Sequence, residues 1–478
     1  MLSLGQVAAE LADFEQVVNQ VNFSALTSDG VYTRFIIHYK ESDSRKRINT
    51  QASVLAHLDN VHTVTGYNLA MIRELATGGY LIEVNEKLDK TDAEGLMVEF
   101  ARNPDLSYIE PDARMTISLV PNDTTYNQQW HYFEATGGLN LPDAWDVVSG
   151  SGVTVAVVDT GIVNHTDLNV NIIGGYDFIS DATAARDGNG RDSNPADEGD
   201  WFLAGECGSG SPSNSSWHGT HVAGTVAAVT NNNKGVAGVA FDAKVVPVRV
   251  LGKCGGSLSD IADAIVWASG GSVSGVPNNT NPAEVINMSL GGGGACGSTY
   301  QNAINIAVNN GTAVVVAAGN SNADVSGFRP ANCSNVITVA ALDRQGNRAF
   351  YSNFGSLIDI TAPGGETATA SNGVRSTLNS GTTSSLNESY AFYQGTSMAA
   401  PHIAGLVALM LEANPDLTPS QIETELITNA RPIPGSCTGG CGAGVADATA
   451  TINALAGGGG EIPVATQVVL IAVYGLIL

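Results

Sequence analysis

The first 206 residues of this 478-residue chain contain no cysteine. No disulfide can brace that region, so whatever folds there must rest on an ordinary apolar core. Cations are scarce as well. Lys and Arg number 21 against 46 Asp and Glu, a formal net charge of −25. Such a chain repels phosphate backbones, which argues against a nucleic-acid partner. No Gly-x-x-x-x-Gly-Lys loop and no His-Glu-x-x-His pair occurs, so neither ATP dependence nor zinc-protease chemistry is indicated. Charged residues are only 14% and aromatic residues 6%, while glycine reaches 55. That balance suits a compact α/β enzyme rich in small residues, with length for two or three domains.

Against these absences one stretch stands out: Gln394-Gly395-Thr396-Ser397-Met398-Ala399-Ala400-Pro401-His402. A serine sits among small residues, just ahead of the apolar run Ile403 to Met410. Small neighbours let a substrate backbone approach the hydroxyl. The run predicts a buried helix, which puts Ser397 near a helix N-terminus, where developing negative charge is stabilised. A lone hydroxyl is a poor nucleophile at neutral pH and needs a base. His218-Gly219-Thr220-His221 offers one at the start of a second small-residue helix. Upstream, Val153 to Val158 is a nearly unbroken apolar run, as expected of a strand buried on both faces. It ends in Asp159-Thr160-Gly161, at the strand end where open α/β sheets collect catalytic groups.

Asp159-Thr160-Gly161, His218-Gly219-Thr220-His221 and Gly395-Thr396-Ser397-Met398-Ala399 resemble the three signature segments of the subtilisin-like serine proteases. They occur in that family's order, 59 residues apart (159 to 218) and 179 residues apart (218 to 397). The resemblance spans roughly residues 125–455. It implies a mainly parallel sheet with helices on both faces. It also implies Ser397 as nucleophile, His218 as general base and acid, and Asp159 as the carboxylate that orients and stabilises the imidazole. His221, one turn on, is read as structural.

The strand Thr312 to Ala318 runs into Gly319-Asn320, and the resemblance puts Asn320 in the oxyanion hole. The strand Glu284 to Met288 runs into Ser289-Leu290-Gly291-Gly292. In the family this edge pairs with an extended peptide and forms a wall of the primary specificity pocket. Ser289, Leu290, Gly291 and a pocket-floor Gly327 are therefore the expected substrate-binding residues. Small, uncharged neighbours such as Ala317 and Ala318 imply a preference for large hydrophobic side chains before the cut bond.

Six cysteines allow fifteen pairings. The reading adopted is sequential: Cys207–Cys254, Cys296–Cys333 and Cys437–Cys441, the first two supported by the resemblance. With an even count and no Cys-x-x-Cys, disulfides in a secreted protein are expected. Residues 180–200 form an acidic, glycine-rich stretch with hard oxygen ligands that suit Ca²⁺ in a structural role. Asp187 and Asp192 are the leading ligands.

Residues 31–118 read as a small α+β domain of ferredoxin-like type. Strands are expected at 31–39, 79–84 and 106–112, and a helix at 92–101. By resemblance this is an inhibitor propeptide that aids folding, with self-cleavage between Asp112 and Thr125, near Leu119-Val120. Residues 1–30 would be a leader segment. A secretory signal is expected but not visible there: no basic start precedes Glu10, Asp13 and Glu15. The peptidase domain is assigned to 119–456. Residues 457–478 join four glycines to an apolar tail, Val464 to Leu478, short for a spanning helix. Gly-Gly before an apolar stretch resembles bacterial surface-sorting tails, although those end in basic residues. Membrane anchoring at the cell surface and a processed tail are both open.

The expectation is a monomeric, secreted serine endopeptidase, made as a zymogen that processes itself and acting on extended polypeptides. Two rivals stand beside it. One is a non-catalytic binding protein on a protease scaffold, which would be expected to carry a degenerate triad. The other is a serine esterase, but the Gly-x-Ser-x-Gly elbow is missing around Ser397.

Overall fold

The computed structural model describes residues 20–23, 26, 31–40, 51–113, 119–208 and 210–456. Most of the leader, and the whole Gly-rich tail from 457, lie outside them. The chain divides into two compact units, residues 1–117 with 454–478, and residues 118–453.

The first unit carries β1 (Tyr32–Tyr39), α1 (Gln51–Thr65), β2 (Leu69–Glu74), β3 (Tyr80–Leu88), α2 (Lys90–Ala101) and β4 (Leu106–Pro111). The sheet order is β2-β3-β1-β4, all antiparallel. This β-α-β-β-α-β arrangement is ferredoxin-like. Alternate residues of β1, Phe35, Ile37 and Tyr39, point into a core with Ile82, Leu96, Phe100 and Ile109. The period of two follows from the pleat. Asp89 caps α2 by accepting from Asp92 N at 2.9 Å. Helix α1 and strand β2 were not foreseen. In α1 the buried positions are Val54, His57, Leu58 and Val61. That is a regular helical stripe, with a histidine where an apolar residue is the usual signal. The β2 strand is mostly exposed and ends in Arg73 and Glu74, so it shows little apolar alternation.

The second unit is built on seven parallel strands. They are β5 (Thr154–Asp159), β6 (Tyr176–Asp177), β7 (Lys244–Arg249), β8 (Val285–Met288), β10 (Ala313–Ala317), β12 (Ile337–Leu342) and β13 (Ile360–Pro363). Their order is β13-β12-β10-β8-β5-β7-β6. Two small antiparallel pairs complete the set: β9 (Gly292–Gly293) with β11 (Phe328–Arg329), and β14 (Val374–Asn379) with β15 (Glu388–Tyr393). The main helices are α3 (His218–Ala227), α4 (Leu258–Ala268), α5 (Gly297–Asn309) and α6 (Thr396–Ala413).

Valine-rich strands with no polar face need cover on both sides. Ala156, Val158, Val246, Val248, Ile286 and Met288 pack with Ile261, Ile265 and Ile304 of α4 and α5. Helices α3 and α6 pack together against the other face. Asp159 shares that second face with Val155 and Val157, because side chains alternate along β5. The sheet also reverses at β5, which lies between β7 and β8. The carboxyl ends of β5 and β8 therefore open a crevice at a topological switch point.

Candidate active site

Asp159 ends β5 and is fully buried. His218 opens α3, and its Nδ1 lies 2.8 Å from Asp159 Oδ1 and 3.0 Å from Oδ2. Asp159 Oδ1 also accepts from Thr160 N at 2.8 Å. Both carboxyl oxygens of Asp159 lie within hydrogen-bond reach of Nδ1, which makes Nδ1 the donor and leaves Nε2 as the basic nitrogen. The close approach of α3 to the end of β5 depends on Gly219, where a Cβ would strike the carbonyl oxygen of Gly161. Trp217, just before His218, adopts a left-handed conformation at φ 50°. Its buried indole donates to Gly381 O at 2.6 Å and holds the turn in place. Burial disfavours the charged form of His218, but Asp159 beside it outweighs that, and the pKa is raised.

Ser397 lies in the first turn of α6. Among the described residues no hydrogen bond joins it to His218. Its Oγ donates instead to Ser289 O at 3.2 Å. The Ser289 hydroxyl donates to Ser397 O at 2.9 Å, and Asn287 Nδ2 donates to that same hydroxyl at 3.0 Å. Helix α6 contains Pro401, four residues beyond Ser397. A proline has no N–H to offer the carbonyl one turn back. Ser289 supplies the missing donor.

Asn320 follows β10. Its Oδ1 accepts from both Thr396 N and Thr396 Oγ1, each at 2.9 Å. The backbone donor settles which amide atom is oxygen, leaving Nδ2 to point elsewhere. Two adjoining clefts share Leu251, Cys254, Gly255 and Ser289. One, of about 410 Å³, is lined by His218, Thr160, Asp200 and Ser216. The other, of about 610 Å³, is lined by Ser397, Asn320, Leu290, Gly291, Ala317 and Phe328. Gly327 does not line it. It is exposed, and its carbonyl accepts from Gly294 N at 2.7 Å. The wall is made one residue later, by Phe328 and Arg329 of β11, which pairs with β9. Arg329 brings a charged side chain to this wall, which the expectation of small, uncharged neighbours did not include.

Comparison with known proteins settles the family. Residues 150–458 match the subtilase family model. The chain is 55% identical over 445 residues to an extracellular protease of Xanthomonas campestris pv. campestris, covering 92% of this chain and 76% of that protein. It is 42% identical over 464 residues to an extracellular basic protease of Dichelobacter nodosus, covering 94% and 75%. A solved protease structure from Pseudoalteromonas arctica is 60% identical with a TM-score of 0.70, covering 70% of this chain and all of that one.

The chain is a subtilase. It is a serine-type endopeptidase with the subtilisin-like fold.

The subtilase is crosslinked at Cys207–Cys254, Cys296–Cys333 and Cys437–Cys441, with Cα separations of 5.0, 5.1 and 6.4 Å. Cys254 of the first crosslink lines both clefts, and Cys207 the one that holds His218.

The acidic stretch is held largely by its own donors. Asp192 accepts from Asn189 Nδ2 at 2.7 Å and Asn194 N at 2.6 Å. Asp187 accepts from Asn189 N at 3.0 Å and faces Arg249 Nη1 at 3.5 Å. Arg249 is buried and also pairs with Asp177. Among the described residues no group of three or more His, Cys, Asp or Glu side chains converges on a metal-sized site. The carboxylates that do reach the catalytic region come from the end of this stretch. Asp197 accepts from Thr160 Oγ1 at 2.6 Å, and Asp200 from Ser216 N at 2.6 Å and Ser216 Oγ at 2.8 Å.

Behind the site lies a buried set of neutral histidines. His221 Nε2 lies 3.1 Å from both Val374 O and Ala391 O. Burial pushes its pKa down to about 3. His402 Nδ1 lies 2.7 Å from Met398 O, which makes Nδ1 the donor and leaves Nε2 to accept from His131 Nδ1 at 2.8 Å. Burial lowers His402 to about 4.

Proposed function

We propose that this subtilase is a secreted zymogen that cuts extended polypeptides through Asp159, His218 and Ser397. The observation that carries the reading is the paired contact between His218 Nδ1 and the buried Asp159 carboxylate. It leaves Nε2 as the only basic position of the ring, with the Ser397 cleft adjoining.

Ser397 leaves the Ser289 carbonyl and passes its proton to His218 Nε2 as Oγ attacks the scissile carbonyl. The oxyanion is met by Asn320 Nδ2 and the Ser397 N–H. His218 then gives the proton to the leaving amine, which departs as the C–N bond breaks. Water, giving its proton to His218 Nε2, attacks the acyl carbon; the bond to Ser397 Oγ breaks, and His218 returns the proton to Oγ. Asp159 stabilises the imidazolium in both halves without taking the proton. The edge Ser289-Leu290-Gly291 pairs with substrate backbone. Leu290, Ala317, Ala318 and Phe328 support the preference for large apolar side chains before the cut bond.

Residues 31–118 act as the intramolecular inhibitor and folding aid, released by cleavage near Leu119-Val120. Val120 is 71% exposed. In the 180–200 stretch the carboxylate and amide oxygens of Asp192, Asn189 and Asn194 are of the type that holds Ca²⁺. Asp187 is already balanced by Arg249. Bound there, Ca²⁺ would brace the loop and take no part in the reaction. Isothermal titration with Ca²⁺ on chelator-treated protein tests it, and heatless mixing would remove calcium from the reading.

Replacing Ser397 with Ala tests the whole. Casein digestion and labelling by a serine-directed fluorophosphonate are expected to vanish, and the propeptide to stay attached. A Ser397→Ala chain that still matures by itself refutes the nucleophile. In the parent, kcat/KM is expected to rise through an apparent pKa above the ordinary imidazole value of about 6.5.

A further inference from the structure

The last two aspartates of the acidic stretch are wired to the helix that carries His218. Thr160 Oγ1 donates to Asp197 Oδ2 at 2.6 Å and accepts from Gly219 N at 2.9 Å. Ser216 Oγ donates to Asp200 Oδ2 at 2.8 Å and accepts from His218 N at 3.3 Å. Each hydroxyl thus bridges one carboxylate to one amide of the first turn of α3. Those amides have no partner within the helix. Thr160 is also the residue whose own N–H bonds Asp159 Oδ1. Asp197 is buried, and Gly199 N donates to it at 2.9 Å.

We propose that Asp197 and Asp200 are positioning residues for His218, each fixing one amide at the start of α3 through an intervening hydroxyl. The inference rests on the protease reading above. The pair does two things. It sets the imidazole's place against Asp159, and it adds negative charge beside a ring that must become an imidazolium during turnover. The charged and titratable groups facing the pair are Arg249 on β7, Tyr393 on β15, Arg186 and His218 itself, while Asp159 on β5 and His221 on α3 face the imidazole. Arg249 opposes the pair, and Asp159 acts with it. Burial pushes Asp197 up to about 7 despite its two donors, so part of its charge is lost as the medium becomes mildly acidic.

The test uses matured full-length protein, normalised by active-site titration. D200N alters a partly exposed group. It is expected to lower kcat about tenfold and leave KM within about twofold, as for a misplaced base rather than a lost substrate contact. The acid limb of kcat/KM is expected about half a pH unit lower, because a charge favouring the imidazolium is gone. The low-field proton resonance of His218 Nδ1 should move with it. D197N should act in the same direction. T160V should match D197N, while T160S, which keeps the hydroxyl, should match the parent. If D197N and T160V fail to mature, D200N and T160S decide alone. An acid limb and a Nδ1 resonance unmoved in D200N overturn the proposal, even if thermal stability falls. A parent whose hydrolysis survives S397A fails the protease reading itself, which is a separate result.

Discussion

Ser289 and Ser397 exchange two hydrogen bonds: Ser397 Oγ donates to Ser289 O at 3.2 Å, and Ser289 Oγ donates to Ser397 O at 2.9 Å. The cause lies in α6. Pro401 leaves the Ser397 carbonyl without its helical donor, and β8 delivers a hydroxyl to take that place. Ser289→Ala should therefore orphan the carbonyl and lower kcat about fivefold, the scale of one hydrogen bond near 1 kcal/mol. Adding Pro401→Ala restores an N–H four residues on. The double variant should recover part of the loss in steady-state kinetics. Strictly additive effects would mean the two sites are not coupled.

Asn320 is held by Thr396 through its oxygen, so in the proposed mechanism its Nδ2 is the atom that would meet the oxyanion. Asn320→Ala should cut kcat about a hundredfold or more with KM little changed, a size taken from subtilisin itself. Stopped-flow acylation on an ester and an amide substrate would show the loss. A change in KM alone would place Asn320 in ground-state binding.

His402 is buried and neutral, with a pKa pushed down to about 4. The unfolded chain takes up a proton there near 6.5, well before the folded chain does. A lowered folded pKa means the contribution to stability is whole above about 6.5 and shrinks as pH falls toward 4. His402→Gln removes that linkage. Acidification from pH 7.5 to 4.5 should cost the parent roughly 2–3 kcal/mol more than the variant at this one site. Urea midpoints in a Ser397→Ala background measure it. Equal pH slopes would contradict the buried neutral state.

Gly224 lies where α3 meets β14. A Cβ there would run into Thr377 Oγ1 and Ser376 Oγ. Those hydroxyls donate to Thr220 O and His221 O, each at 2.8 Å. Gly224→Ala should destabilise the second unit by about 1–3 kcal/mol through overpacking. Its melting temperature should fall, and the His218 helix should lose its seat. Unchanged melting would show that β14 can give way.

Strands β5, β8 and β10 of the seven-stranded sheet were legible as apolar runs suited to burial on two faces, whereas β6, only Tyr176–Asp177, and β13, Ile360–Pro363, are too short to show a pattern. The ferredoxin-like unit was half legible. Strands β1, β3 and β4 alternate, but α1 turns His57 inward and β2 is an exposed edge. Gly327 is exposed and lies outside the Ser397 cleft, which Phe328 and Arg329 of β11 line beside β9; a pattern of small residues carries no signal for a wall built of longer side chains. The roles of Thr160, Asp197 and Asp200 had no local signature. Their meaning arises from partners between 16 and 59 residues away in sequence.

What the sequence determined by itself was the set of reactive types and their local seats: a carboxylate at a strand end, an imidazole opening one helix, a hydroxyl opening another. Period and composition settle such things, since they act within a few residues. Only the tertiary structure decided which nitrogen of His218 is free, which atom of Asn320 is available, and where Ser397 points at rest. Each of those depends on a donor or acceptor brought in from a distant segment, and a hydrogen bond tolerates only a few tenths of an ångström in where that partner lands.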